Sequence, residues 1–391
     1  MFARVERWRM RVARAIHGPR MMHPAYTRLL PGVRGPAVVR LPDPGATVWT
    51  DGLLLAVAEY YSQAKEGAGA SPPSLWDEQA LARRDFIRAL ETRDVQALRA
   101  AFSDLFGGVL LNGMAHGSSL FAEETANPYE RGFFGLRTLD CLLALAEARG
   151  VKAVANFAQA KLPRLMADLQ PDVAALSAAL EEELGFSLDM PAAGAPYLAD
   201  FGGRRLAPDV LRHGYVAARL GELGLGRNDP ILEIGGGFGM LAFLAARAGL
   251  GPYAILDLPF VGAIQYGWLG AVLGPNRVGG AHGQQSGPGS VTLVAPGSLL
   301  REPGTQHWSM VVNCDSLPEI PADIARAYLR AMRGRTPYFL SINQEAEKPH
   351  NGIAQNRVLS LTQEVGGFRR VYRFRHWLEQ GYVEELYEVA P

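Results

Sequence analysis

The stretch ILEIGGGFGMLAFLAARAG, residues 231–249, constrains this chain more than any other. An apolar run ends at Glu233-Ile234, then Gly235, Gly236, Gly237 and Gly239 follow, and an alanine-rich apolar segment begins near Phe238. A strand that reverses tightly into a helix needs glycine where φ turns positive and where a ligand lies against bare backbone. The segment therefore reads as a strand, a ligand-bearing turn and a helix. A dinucleotide fingerprint, Gly-x-Gly-x-x-Gly, would need glycines at 235, 237 and 240, and position 240 is Met240. Starting it at Gly237 gives a tolerated form ending at Ala242, but two residues late for the strand. The spacing that fits the strand is Glu-x-Gly-x-Gly-x-Gly, from Glu233 to Gly239.

The C-terminal half as a whole has the pattern of an α/β domain. PILEI (230–234), YAILD (253–257), VTLVA (291–295), WSMVVN (308–313) and YFLSIN (338–343) are short apolar runs separated by helical stretches. Continuous apolar strands alternating with helices predict a parallel sheet buried on both faces. FRRVYRFRHWL and YVEELYEVA, joined around Gly381, predict a terminal antiparallel hairpin. Asp257 ends the second strand, where an acid can accept hydrogen bonds from ribose hydroxyls. The third strand runs into Pro296-Gly297-Ser298, with no acid at its end.

The first two hundred residues read differently. Residues 76–106 space Leu81, Phe86, Leu90, Val95, Leu98 and Phe102 as an amphipathic helix pair would. Residues 136–150 and 173–186 predict further helices closed by glycine. The expected division is an all-α N-terminal domain, 1–204, serving as lid, acceptor-binding or dimerisation surface, and a cofactor-binding domain, 205–391.

The charge balance excludes some functions. Lys+Arg 39 equals Asp+Glu 39, which argues against a nucleic-acid partner. Cys141 and Cys314 are too few for a disulfide framework and fit a reducing, cytoplasmic setting. The arginine-rich start, residues 1–20, has helical apolar spacing but no unbroken apolar core for a signal peptide, and reads as a solvated helix. LPFVGAIQYGWLGAVLGPN, 258–276, is uncharged, yet Pro259, Gln265 and its glycines argue against a transmembrane helix.

The Glu233–Gly239 spacing resembles the first motif of the Rossmann-like, class I S-adenosylmethionine-dependent methyltransferases, and Asp257-Leu258-Pro259 is similar to the Asp-Leu-Pro of small-molecule O-methyltransferases. Asn313, Ser316 and Glu319 after the fourth strand, with Asn343 after the fifth, resemble the sugar O-methyltransferase family over residues 205–391. The resemblance implies S-adenosylmethionine as cofactor and a sugar hydroxyl, within biosynthesis, as acceptor. The expected cofactor-binding residues are Glu233, Gly235, Gly236, Gly237, Gly239, Asp257, Leu258, Asn313 and Cys314. A phenolic or polyketide acceptor, or a non-catalytic cofactor-binding role, remains open, as does a homodimer.

A sugar hydroxyl needs a general base near it. Acids and histidines after strands four and five supply candidates: His350 first for its ordinary pKa, then Glu319 and Asp315, with Glu345, Glu347 and the loop residue His282 behind them. Asp315 with Asn343 also loosely resembles the ligand set of magnesium-dependent catechol-type enzymes, one charge short, which leaves magnesium open as a second cofactor. Trp76, Tyr129, Tyr266 and Trp268 are candidate sugar-stacking platforms, against the alternative of core packing.

Overall fold

The computed structural model describes residues 35–68, 75–115, 128–154, 170–280, 287–300, 306–345 and 354–391. Its N-terminal half contains β1 (Ala37–Arg40), α1 (Asp51–Ala68), α2 (Leu75–Ala82), α3 (Arg84–Thr92), α4 (Val95–Ser103), α5 (Pro128–Ala148), α6 (Val173–Leu184), β2 (Tyr197–Phe201) and β3 (Arg204–Leu206). The expected helix pair over 76–106 is three helices. Arg93 takes a left-handed φ of 54°, and Asp94 then accepts from the Gln96 and Ala97 amides at 3.1 and 3.0 Å. That N-cap starts a new helix. β1, β2 and β3 form a three-stranded antiparallel sheet. The half is therefore predominantly helical rather than all-α. Local periodicity could not reveal a sheet whose first strand pairs with residues far along the chain.

The C-terminal half continues with α7 (Pro208–Glu222), β4 (Ile231–Ile234), α8 (Met240–Arg247), β5 (Tyr253–Leu256), α9 (Pro259–Leu273), β6 (Val278–Gly279), β7 (Val291–Val294), α10 (Gly297–Leu300), β8 (Met310–Cys314), α11 (Ala322–Met332), β9 (Tyr338–Gln344), α12 (Val358–Val365), β10 (Phe368–Arg375) and β11 (Tyr382–Val389). The sheet order is β10-β11-β9-β8-β4-β5-β7-β6. β11 runs antiparallel to both β9 and β10, and the remaining pairs are parallel. This is a Rossmann-like, mostly parallel sheet with a terminal hairpin, and every strand expected of it is present. The two-residue edge strand β6 is an addition. From β4 the chain lays β5 and β7 on one side, then crosses to place β8 and β9 on the other. Ligands of open α/β sheets bind at the carboxyl ends beside such a reversal.

The uncharged segment 258–276 becomes α9, which lies between the two halves. A Cβ on Gly262, Gly267 or Gly270 would strike Tyr60, Phe102 or Leu53 from the N-terminal helices. The helix is apolar all round because both of its faces are covered. No helix among the described residues is long and apolar enough to cross a membrane. Trp268 on α9 is 0% exposed and packs edge-on to Phe238 and Phe243. It is core, not a sugar platform. Tyr266 stacks on Tyr60.

Candidate active site

The glycine loop leaves β4 under tight control. Gly235 turns at φ +72° while its amide donates to the Leu256 carbonyl at 2.9 Å. The Ser316 hydroxyl and the Asn313 side-chain amide both donate to the Ile234 carbonyl at 2.7 Å, and the same Asn313 amide donates to Ser316. These bonds press Ser316 onto the loop, and a Cβ on Gly235 would collide with it. Gly235→Ala is therefore expected to cost about 2–4 kcal/mol, from left-handed strain plus overpacking. Chemical denaturation checks this, and a midpoint equal to that of the unaltered protein would contradict it.

The next residues are clasped from the other side. The Gly236 amide donates to Asp257 Oδ2 at 2.9 Å, and the Leu258 amide to Oδ1 at 2.8 Å. Gln265 donates to the Gly237 carbonyl at 2.9 Å and to Asp257 Oδ2 at 2.8 Å. Asp257 thus organises the loop before any ligand arrives. Oδ2 has both lone pairs engaged, and Oδ1 keeps one open.

Carboxylates dominate the site. Burial, reinforced by the charge of Asp257, pushes the Glu233 carboxyl up to about 8, although the Tyr253 hydroxyl donates to it at 3.0 Å. Burial pushes Asp257 up to about 6 against its three donors. Burial and the nearby Asp315 charge push Glu319 up to about 7, opposed by a hydrogen bond from Trp76. A cationic ligand would relieve these costs, since it favours the charged forms. The nearby cation Arg212 is already engaged: it pairs with Asp315 at 3.0 Å and Glu379 at 2.7 Å.

These groups line one cleft. Glu233, Gly235, Gly236, Gly237, Asp257, Leu258, Cys314, Asp315 and Glu319 all face it. Leu258, Val261, Pro296, Ile324 and Tyr328 form an apolar wall, while Trp76, Gly113 and Met114 come from the N-terminal half. Of the expected cofactor residues, Gly239 and Asn313 do not line the cleft. Gly239 starts α8 and packs on Leu269, and Asn313, 0% exposed, braces the loop from behind. Asn343 is likewise buried, donating to Asn313 Oδ1 at 2.9 Å and to Ser341 at 2.8 Å. With Asp315 paired to Arg212 and Asn343 turned into the sheet, the suggested magnesium ligands do not converge, and among the described residues no group of three or more His, Cys, Asp or Glu is arranged for a metal. Glu345 is held by Arg373 at 2.6 Å. His350, Glu347, His282 and segment 1–20 lie outside the described residues, as does the side chain of Tyr129.

Sequence reasoning missed Gln265, Arg212, Met114 and Tyr328. Only Gln265 left a signal, as the single amide side chain in an uncharged helix. The others reach the cleft through tertiary packing.

No protein-family model matches the sequence, and no curated protein matches it significantly. Among solved structures, the chain is similar to a magnesium protoporphyrin IX methyltransferase from Synechocystis PCC 6803 with bound SAM, at 16% identity, covering 46% of this chain and 78% of that one, TM-score 0.34. A glycopeptide N-methyltransferase complexed with sinefungin shares 14% identity over 46% and 87% of the two chains, TM-score 0.34. A 1,6-didemethyltoxoflavin-N1-methyltransferase of Burkholderia thailandensis shares 16% over 45% and 76%, TM-score 0.33.

Proposed function

We propose that the chain is an S-adenosylmethionine-dependent O-methyltransferase acting on a hydroxyl of a sugar or glycosylated small molecule. One observation carries the cofactor reading: the glycine loop after β4 and Asp257 after β5 meet, hydrogen-bonded, at the switch point of the sheet, beside an apolar wall. The residues present fit the cofactor. Oδ1 of Asp257 can accept from a ribose hydroxyl, the apolar wall suits a flat adenine, and buried Glu233 suits the ammonium and sulfonium charges.

The cofactor supplies an activated methyl group, so the protein's work is to hold an acceptor oxygen in line behind it. Trp76 and Met114 help exclude water. Glu319, with its carboxyl near 7, takes the acceptor's proton, and His350 is the other candidate for that step. Asp315, bound to Arg212, serves to shape the acceptor side. The sugar acceptor rests on the Asn313, Ser316, Glu319 and Asn343 resemblance.

Calorimetric titration with S-adenosylmethionine, S-adenosylhomocysteine and NADH in parallel tests this reading. Micromolar binding of both adenosyl ligands without NADH is expected, followed by methylation of neutral sugars in an acceptor screen. Binding of NADH alone would overturn the proposal. Adenosyl binding with turnover only of phenolic acceptors would overturn its sugar part.

A further inference from the structure

The most informative side chain outside the cleft is Arg83, between α2 and α3. It is 1% exposed. Its Nε donates to the Leu110 carbonyl at 2.9 Å, its Nη2 to the Asn112 carbonyl at 2.6 Å, and its Nη1 to the Gln79 backbone and side-chain oxygens at 2.8 and 2.7 Å. All four acceptors are neutral oxygens. Burying a guanidinium against carbonyls costs desolvation that an apolar side chain would avoid. What the arginine offers in return is a rigid planar fork that fixes several acceptors at once.

The acceptors have one thing in common. Gln79 lies one turn beyond Trp76, on the helix that brings Trp76 over the cleft. Leu110 and Asn112 directly precede Gly113 and Met114, the other two cleft residues from the N-terminal half. The Met114 carbonyl lies 3.4 Å from where a Cβ on Gly237 would stand. The guanidinium also lies 5.9 Å from the Phe260 ring centre, and Phe260 packs against Trp76 at the start of α9. Burial pulls the Arg83 pKa down to about 10, so it stays charged at neutral pH.

The geometry points to Arg83 as a positioning residue that ties the Trp76 helix to the Gly113–Met114 turn and so holds the roof of the cleft against the glycine loop. It governs how long the adenosyl ligand stays bound. This inference rests on the adenosyl reading of the cleft.

Titrating the chain and its Arg83→Met and Arg83→Lys variants with S-adenosylmethionine and S-adenosylhomocysteine tests it, with thermal melting alongside. Arg83→Met is expected to raise Kd at least tenfold and to speed release of S-adenosylhomocysteine, with the binding stoichiometry preserved. Arg83→Lys, which keeps the charge but loses the fork, is expected to fall between. A purely structural arginine would lower the melting temperature and the stoichiometry while leaving Kd of the folded fraction unchanged, and that result overturns the proposal. Should Arg83→Met fail to fold, Arg83→Lys with wild-type Kd and release rate overturns it equally. If the unaltered chain binds neither ligand, the cleft reading itself fails, and this inference with it.

Discussion

Glu319→Gln is expected to lower turnover about 10²–10⁴-fold, the usual loss when a general base is removed, while cofactor affinity stays unchanged. The reason lies in where Glu319 sits. Burial and the Asp315 charge hold its carboxyl near 7, which matches its proton affinity to neutral working pH. A base must be deprotonated to act, so kcat should rise with pH through about 7 and level off above it. The glutamine variant should lose that acidic limb. Steady-state rates across pH on an accepted sugar read both effects. Full activity in Glu319→Gln, with the limb intact, would move the role to another group, His350 first. A limb displaced to the ordinary carboxylate range would show that the cleft does not desolvate Glu319 during turnover.

Asp257→Ala is expected to weaken S-adenosylmethionine and S-adenosylhomocysteine binding by about 10²-fold, or ~3 kcal/mol. Two losses combine. The ribose loses its acceptor, and the Gly236 and Leu258 amides and the Gln265 side chain lose theirs. Asp257→Asn does not repair this, because its amide nitrogen would face backbone donors. The carboxyl sits near 6 in the ligand-free cleft, and the ribose contact needs it charged. Affinity in the unaltered protein should therefore climb with pH until the Glu233 carboxyl, near 8, is charged, and below about 6 protonation of Asp257 should weaken it further, by up to tenfold more per pH step of one. Calorimetry at several pH values measures both. Unchanged affinity in Asp257→Ala would leave the residue a purely structural clasp.

Much of the C-terminal half was legible because its signals are local. Each parallel strand is a short apolar run, each turn is marked by glycine or proline, and the glycine loop with its following acid falls within one strand–helix–strand unit. The cleft residues Glu233, Gly235 and Asp257 follow from that spacing alone. Other readings depended on what packs behind a residue. Asn313 sits in the matching motif, yet its amide turns to the Ile234 carbonyl and away from the cleft. Trp268 has the chemistry of a sugar platform, yet three aromatic rings share a buried cluster there.

By itself, then, the sequence determined the order of the main strands and helices of the C-terminal half, the glycine turn after β4 and the carboxylates beside it. Backbone conformation and hydrophobic periodicity act over a few neighbouring residues, so they are written in short windows of chain. The tertiary structure alone decided that β1 pairs with β2, that Gly262, Gly267 and Gly270 receive the N-terminal helices, and that Trp76, Met114 and Arg83 form and fasten the roof of the cleft. Those contacts join segments separated by many residues, and shape complementarity between distant surfaces leaves no periodic mark on either one.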